Sequence, residues 1–349
     1  MISLYRKYRP QRFSEVIGQE SVVRTLQSAV ADKTVAHAYV FAGGRGIGKT
    51  SIARILAHEL GVTDKDLYEI DAASHTGVDD IRALRDGVST LPMESPYKVY
   101  ILDEAHMLSK SAFNALLKTL EEPPAHVIFM LATTEIEKIP DTVLSRCEVH
   151  TLERPSQSVL TTLVETVAKK EGYTIPKEAA NVLGMTGDGS FRDTLSLLQQ
   201  VLTATEGKKV TLDVVERASG APSHVVIQKV LSALTEGNAS EVLGLIAEAR
   251  TRHTNASVFM QLLVHMIRAI LFVRLAPELA SKLSEHFSSE DMQFISARAE
   301  HKGTRLPINS KMLLVFLESA KDIAHAPDPY IYIEVACVQL LEKIAPEVV

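Results

Sequence analysis

Tryptophan is absent from the 349 residues, and cysteine occurs only twice, at Cys147 and Cys337. Two cysteines so far apart, without a partner motif, cannot build a disulfide framework or a four-cysteine zinc site within the chain. Basic charge is not in excess: 37 Lys and Arg stand against 43 Asp and Glu, for a net charge of −6. That balance excludes a protein that coats nucleic acid by bulk electrostatics, while leaving room for a local basic surface. Arg6, Lys7, Arg9 and Arg12 form one such cluster, readable as a solvated arm or as a binding site. Long apolar runs are also missing. The most apolar stretch, Leu262 to Leu275, is interrupted by His265, Arg268 and Arg274, so it reads as a buried or partner-facing helix and not a membrane span. Met1 to Phe13 is charged and lacks the apolar core of a signal peptide. No internal repeat or low-complexity tail occurs. With 46% hydrophobic and 23% charged residues, the expectation is a cytoplasmic protein of two or three domains, with no membrane partner.

What is present starts with Gly43-Gly44-Arg45-Gly46-Ile47-Gly48-Lys49-Thr50, which satisfies G-x-x-x-x-G-K-[ST]. The glycines let consecutive backbone N–H groups turn inward around phosphates, Lys49 places a cation on the β and γ oxygens, and Thr50 offers a hydroxyl to Mg²⁺. The context fits a nucleotide loop. Ala38 to Ala42 reads as a buried strand, and Ser51 to Leu60 as the helix whose positive end faces the phosphates.

Lys98-Val99-Tyr100-Ile101-Leu102-Asp103-Glu104 is a buried-strand pattern ending in two acids. At the end of a parallel strand, Asp103 lies beside the phosphate loop, where it can hold Mg²⁺ directly or through water. Glu104 becomes the candidate that orients and polarises the attacking water. Standing alone, the pair would read as solvated acids in a turn.

Up to about residue 153, short apolar runs alternate with helical patterns: Tyr39 to Ala42, Leu67 to Asp71, Val99 to Asp103, Val127 to Thr133 and Glu148 to Leu152. That alternation means a parallel sheet covered by helices. From Ser156 to about Ala218 the pattern is helical, with Gly184 to Gly189 as a loop. Beyond Gly220 it reads as amphipathic helix, broken at Gly237-Asn238, Pro277, Gly303 and Ala326-Pro327-Asp328-Pro329.

Together the motifs resemble the gamma/tau family of bacterial DNA polymerase III clamp loader ATPases. The resemblance is carried by Leu4-Tyr5-Arg6-Lys7-Tyr8-Arg9-Pro10, Phe13, Val16-Ile17-Gly18-Gln19, the phosphate loop and Glu69-Ile70-Asp71-Ala72-Ala73-Ser74. It continues through Asp103-Glu104-Ala105-His106-Met107-Leu108, Asn114 to Pro124, Leu131-Ala132-Thr133-Thr134, Ser145-Arg146-Cys147 and Gly189-Ser190-Phe191-Arg192-Asp193. It implies an α/β AAA+ ATPase domain over 1–153 with a parallel sheet, a helical lid domain over 154–218 and an all-α collar domain over 219–349.

The same resemblance implies roles. Tyr8, Arg9, Pro10, Val16 and Ile17 would wall the adenine of ATP, while Gly43 to Ser51 hold its phosphates and Thr50 and Asp103 its Mg²⁺. Thr134 matches the first sensor, which holds the γ-phosphate or the water. Arg192, opening a helix of the second domain, matches the second sensor. Arg146 would act in trans, entering the neighbouring subunit's ATP site to stabilise charge on the transferring phosphoryl group.

Two departures stand out. Members of the family usually carry a four-cysteine zinc module between the phosphate-loop helix and the Asp-Ala-Ala-Ser strand, whereas Leu60-Gly61-Val62-Thr63-Asp64-Lys65-Asp66-Leu67 spans that interval directly. After Asp-Ala-Ala-Ser, where basic residues commonly flank a Thr, this chain has His75-Thr76-Gly77. DNA contact would then lean on Thr76, Arg82, Lys110 and Ser111 with backbone amides, and be specific for shape and phosphate.

The expected function is the ATP-hydrolysing motor that opens a ring-shaped sliding clamp and loads it on primer–template DNA, working among delta, delta prime and further gamma/tau copies in a pentamer. Two alternatives are another AAA+ DNA-remodelling ATPase and a non-hydrolysing subunit of the same loader. Absent tryptophan and an all-helical C-terminal third disfavour the first. An intact Lys49 and Asp103-Glu104 pair disfavours the second.

Overall fold

The computed structural model describes residues 2–74, 84, 87–252, 254–279, 287, 289–300, 305–323 and 326–342. Ala38–Ala42 (β1), Leu67–Asp71 (β2), Lys98–Asp103 (β3), Val127–Thr133 (β4) and Glu148–Thr151 (β5) form one sheet, as the apolar runs predict. The strand order is β2-β3-β4-β1-β5 and every neighbouring pair is parallel.

The three central strands are buried almost end to end, which is why they read as unbroken apolar runs. Period-two alternation divides their side chains between two cores. On one face Tyr39, Phe41, Val99, Ile101, Ile128 and Met130 pack with Ile52, Ile55 and Leu56 of the helix Lys49–Glu59 and with Leu26 of Glu20–Ala31. On the other, Val40, Tyr100, Leu102, Phe129 and Leu131 meet Phe113, Leu116 and Leu120 of Lys110–Glu121, and Val143 of Asp141–Leu144. Burying each such side chain contributes about 1.5–3 kcal/mol. The carboxyl ends of β3, β4 and β1 therefore stand side by side, where open parallel sheets bind ligands.

The chain divides into two compact units. The first holds Met1–Val159 with Gly189–Ser196, and the second Leu160–Asp188 with Leu197–Val349. Arg192 lies in the segment Gly189–Ser196 of the first unit, at the start of the helix Phe191–Ala204, whose later turns belong to the second. The second unit is helical, with one bridge between Thr174 and Lys209 among its described residues. Its longest helix, Ala256–Leu275, buries Phe259, Leu263, Ile267 and Ile270. That helix packs against His224–Glu236, Ser289–Ala299, Ser310–Ile323 and Pro329–Glu342. By length and composition it could cross a membrane, but ten of its side chains are buried in protein, as the charged interruptions predict. Arg274 donates to the carbonyls of Ala299 and Arg298, capping a neighbouring helix end.

One expectation is corrected. Gly184 was predicted to open a loop, yet it lies buried inside the helix Lys177–Thr186, and the loop starts at Gly187. Packing of Ala179, Ala180 and Leu183 overrides the low helix propensity of a single glycine. The expected break at Gly303 falls outside the described residues.

Candidate active site

The loop after β1 is shaped by three glycines, Gly43, Gly46 and Gly48, in backbone conformations that strain any other residue. Gly43 has φ +142°, and a Cβ there would lie 2.6 Å from Ile47 Cδ1 and 2.7 Å from the Leu152 carbonyl oxygen. At Gly46, φ +70°, it would lie 2.1 Å from Ser190 Oγ. Gly48 is the left-handed residue that turns the chain into the helix Lys49–Glu59, leaving that helix's first N–H groups free to face an anion. Lys49 arches back over the loop and donates to the carbonyls of Gly43 at 2.9 Å and Gly44 at 2.8 Å. Burial lowers its pKa, against the opposing pull of Glu104 and Asp103.

β3 delivers the acids. Thr50 Oγ1 donates to Asp103 Oδ2 at 3.0 Å, and Asp103 Oδ1 accepts the Glu104 N–H at 3.0 Å. Glu104 sits in the left-handed region at φ 48°, ψ 45°, a conformation that costs of order 1–3 kcal/mol for a residue with a side chain. From β4, Thr134 Oγ1 donates to Glu104 Oε2 at 3.1 Å. Phosphate loop, acidic pair and Thr134 thus converge from three adjacent strands. The adjoining oxygens of Thr50 and Asp103, next to an anion cradle, are the hard donors that Mg²⁺ takes, so the residues fit that ion.

Arg9 Nε donates to Ser51 Oγ at 2.9 Å, and burial, with Arg54 adding, lowers its pKa. Tyr8, Pro10 and Val16 are half-buried, while Ile17 is 46% exposed and Arg45 is exposed. The Arg192 backbone N–H reaches the Gly46 carbonyl at 3.3 Å, and its guanidinium lies 5.1 Å from the centre of the Tyr5 ring. Arg146 is not drawn into its own chain's pocket. It donates to Glu121 Oε1 and the Thr142 carbonyl, each at 2.7 Å, and to Ser145 Oγ at 3.3 Å. Lys110 and Ser111 are exposed at the start of a helix capped by Ser109. Thr76 and Arg82, like His75 and Gly77, lie outside the described residues.

Several residues that hold this arrangement carried no assignment from sequence. Gln19 is buried and makes two hydrogen bonds to the backbone of Glu153, at 2.7 and 3.1 Å, tying the N-terminal segment beside the sheet. Asp66, in the interval without a zinc module, accepts the N–H groups of Met93, Glu94 and Ser95 at 2.6, 2.9 and 2.9 Å. Its burial would raise the pKa, but those donors with the Ser95 hydroxyl more than offset it and hold the carboxyl down to about 2. A buried Asp in a loop has no spacing signature. Cys147 is half-buried against the core with its thiol pushed up by burial to about 11, and Cys337 is buried in the other unit with its thiol at about 12, raised first by burial and further by Glu334.

The sheet order, phosphate loop and acidic pair define a P-loop NTPase domain of the AAA+ class, followed by helical domains. The fold agrees with solved structures of Thermotoga maritima RuvB, titled a Holliday junction branch migration motor, at a TM-score of 0.52 and 23% identity over 66% of this chain and 80% of that one. Family descriptions match in succession: "DNA polymerase III, delta subunit" at 62–156, "DNA polymerase III clamp loader subunit, ATPase lid domain" at 160–207, and "DNA polymerase III subunits gamma and tau domain III" at 210–347. DNA polymerase III subunit tau of Bacillus subtilis is 35% identical over 97% of this chain and 63% of its own length. The Escherichia coli tau subunit is also 35% identical, over 97% of this chain and 55% of its own length. The gamma subunit of Buchnera aphidicola is 32% identical over 97% of this chain and 96% of its own. The chain belongs to the gamma/tau family of DNA polymerase III subunits, and it spans roughly half to two thirds of the tau-type relatives.

Proposed function

We propose that this chain is an ATP-hydrolysing motor subunit of a DNA polymerase III clamp loader, working in the cytoplasm to open a sliding clamp and place it on primer–template DNA. The observation that carries the reading is the convergence of Thr50, Asp103, Glu104 and Thr134 on one edge of the phosphate loop. Tyr8, Arg9, Pro10, Val16 and Ile17 hold adenine, and residues 43–51 hold the phosphates of ATP. Thr50 and Asp103 would hold Mg²⁺, which when bound would supply charge neutralisation on the phosphates. Lys49 exchanges its two loop carbonyls for phosphate oxygens. Glu104 orients a water whose oxygen bonds to the γ-phosphorus as the bridging bond to the β-phosphate breaks, releasing ADP and phosphate. Thr134 keeps Glu104 aimed, and Arg192 reports the bound nucleotide to the lid.

Arg146, engaged with Glu121 and the Thr142 carbonyl, is the group offered to a neighbouring subunit. Hydrolysis then depends on assembly with delta, delta prime and further gamma/tau copies in a pentamer. Exposed Leu314, Leu317, Ile331 and Val335 on the paired helices Ser310–Ile323 and Pro329–Glu342 suit a collar that buries them between subunits. Lys110 and Ser111, at a helix start, suit contact with DNA phosphate. The test is reconstitution with the other loader subunits, clamp and primed DNA. ATP-dependent clamp loading, lost with Lys49→Ala, is the expected result. Assembly without nucleotide turnover would point to the non-hydrolysing subunit instead.

A further inference from the structure

We infer that His106 is a positioning residue for hydrolysis: its imidazole ties the Glu104 carboxylate to the Thr133–Glu135 turn and fixes which carboxylate oxygen faces the water. The inference rests on the ATPase reading above. His106 lies two residues beyond the left-handed Glu104, in the short helix Ala105–Met107. Its side chain is only 8% exposed. Nδ1 lies 3.1 Å from Thr133 Oγ1 and 3.5 Å from Glu104 Oε2, while Nε2 faces Glu135 Oε1 at 3.4 Å.

The hydrogen-bond inventory decides which way the ring works. Thr133 Oγ1 donates its single proton to the Glu135 carbonyl at 3.2 Å and accepts the Glu135 N–H at 3.1 Å. Toward His106 it has only a lone pair left, so Nδ1 carries the proton and donates. That N–H bonds to Thr133 Oγ1, and Glu104 Oε2 lies 3.5 Å from the same nitrogen, on the positive side of the N–H dipole. The same Oε2 accepts the Thr134 hydroxyl at 3.1 Å. One hydrogen bond and the field of the imidazole N–H thus both favour this orientation of Oε2, and the other oxygen, Oε1, is left to take a proton of the water. Glu135, paired with Lys138 at 2.7 Å, flanks the far side of the ring, 3.4 Å from Nε2.

A group that touches neither nucleotide nor water but aims the one that does should affect turnover and not affinity. Small errors of aim cost up to about a hundredfold. The experiment compares His106→Leu, His106→Asn and His106→Gln in the full chain, assembled with its partner subunits, reading kcat, KM and the affinity for fluorescent ATP. Asparagine can place an amide N–H where Nδ1 stands, whereas glutamine can reach only the Nε2 side. The expected result is a roughly tenfold to hundredfold loss of kcat in His106→Leu and His106→Gln with affinity unchanged within twofold, and substantial rescue in His106→Asn.

Equal kcat in all three variants and the unaltered chain would overturn the inference, as would equal losses in Asn and Gln. If His106→Leu fails to fold, the Asn and Gln pair still decides it. If the unaltered assembly shows no turnover that Lys49→Ala abolishes, the ATPase reading itself has failed.

Discussion

Arg146 and Glu121 form an ion pair at 2.7 Å that joins the end of the helix Asp141–Leu144 to the last residue of Lys110–Glu121. Both side chains keep solvent contact, 34% and 49% exposed, and pairs of that kind contribute only about 0–1 kcal/mol. The guanidinium is therefore held in a defined place by a contact weak enough to be exchanged for a phosphate oxygen.

That relationship makes Arg146 testable across an interface. An arginine supplied in trans can contribute on the order of 10³–10⁵ in rate, so Arg146→Ala should cost far more turnover than nucleotide binding. Chains lacking Lys49 can still offer Arg146 to a neighbour. Mixtures of Lys49→Ala and Arg146→Ala chains should regain hydrolysis that neither shows alone, read as phosphate release at several mixing ratios. No recovery despite confirmed co-assembly would remove Arg146 from the trans role.

Within one pocket, Lys49 and Glu104 should separate binding from chemistry. Lys49→Ala removes ground-state charge and should abolish binding of fluorescent ATP. Glu104→Gln keeps the shape and should leave binding within a few-fold while stopping turnover. Equal loss of binding in both would remove Glu104 from the water-orienting role.

Asp66 should make stability depend on acid. Its folded pKa of about 2 lies below the ordinary 3.8, so its contribution is fully present above pH 3.8 and is lost as pH falls toward 2. The shift corresponds to about 2 kcal/mol. Asp66→Asn replaces one acceptor oxygen by a donor facing the backbone N–H groups, and should lower Tm by several degrees at neutral pH, with ATP binding retained. Calorimetry from pH 7 to pH 3 should show the difference between the two chains narrowing only at the acid end. A constant difference there would mean that the carboxylate charge does not hold the 93–95 loop.

The chain should purify without stoichiometric zinc. Its two cysteines lie in separate units with thiol pKa values raised to about 11 and 12, and a closed tetrahedral site needs four ligands. Elemental analysis after chelator dialysis checks this, and one retained zinc per chain would contradict it.

Much of the ATPase domain was readable from local pattern, because a parallel sheet covered on both faces must write its strands as apolar runs. Tyr39 to Ala42 and Val127 to Thr133 could hardly be anything else. Gly43, Gly46 and Gly48 announced the phosphate loop because only glycine tolerates the backbone angles and close approaches found there. Gly184 misled because a lone glycine signals a break only where neighbouring side chains do not pack it into a helix.

Sequence alone therefore determined the sheet, the phosphate loop and the acidic pair, since each is dictated by burial or backbone geometry within a few consecutive residues. Only the tertiary structure decided that the Arg192 N–H reaches the Gly46 carbonyl, that Glu121 holds Arg146, and that His106 lies within 3.5 Å of Glu104, Thr133 and Glu135. Those pairings join side chains brought together by strand order. Hydrogen bonds act over about 3 Å of space, a distance that spacing along the chain does not encode.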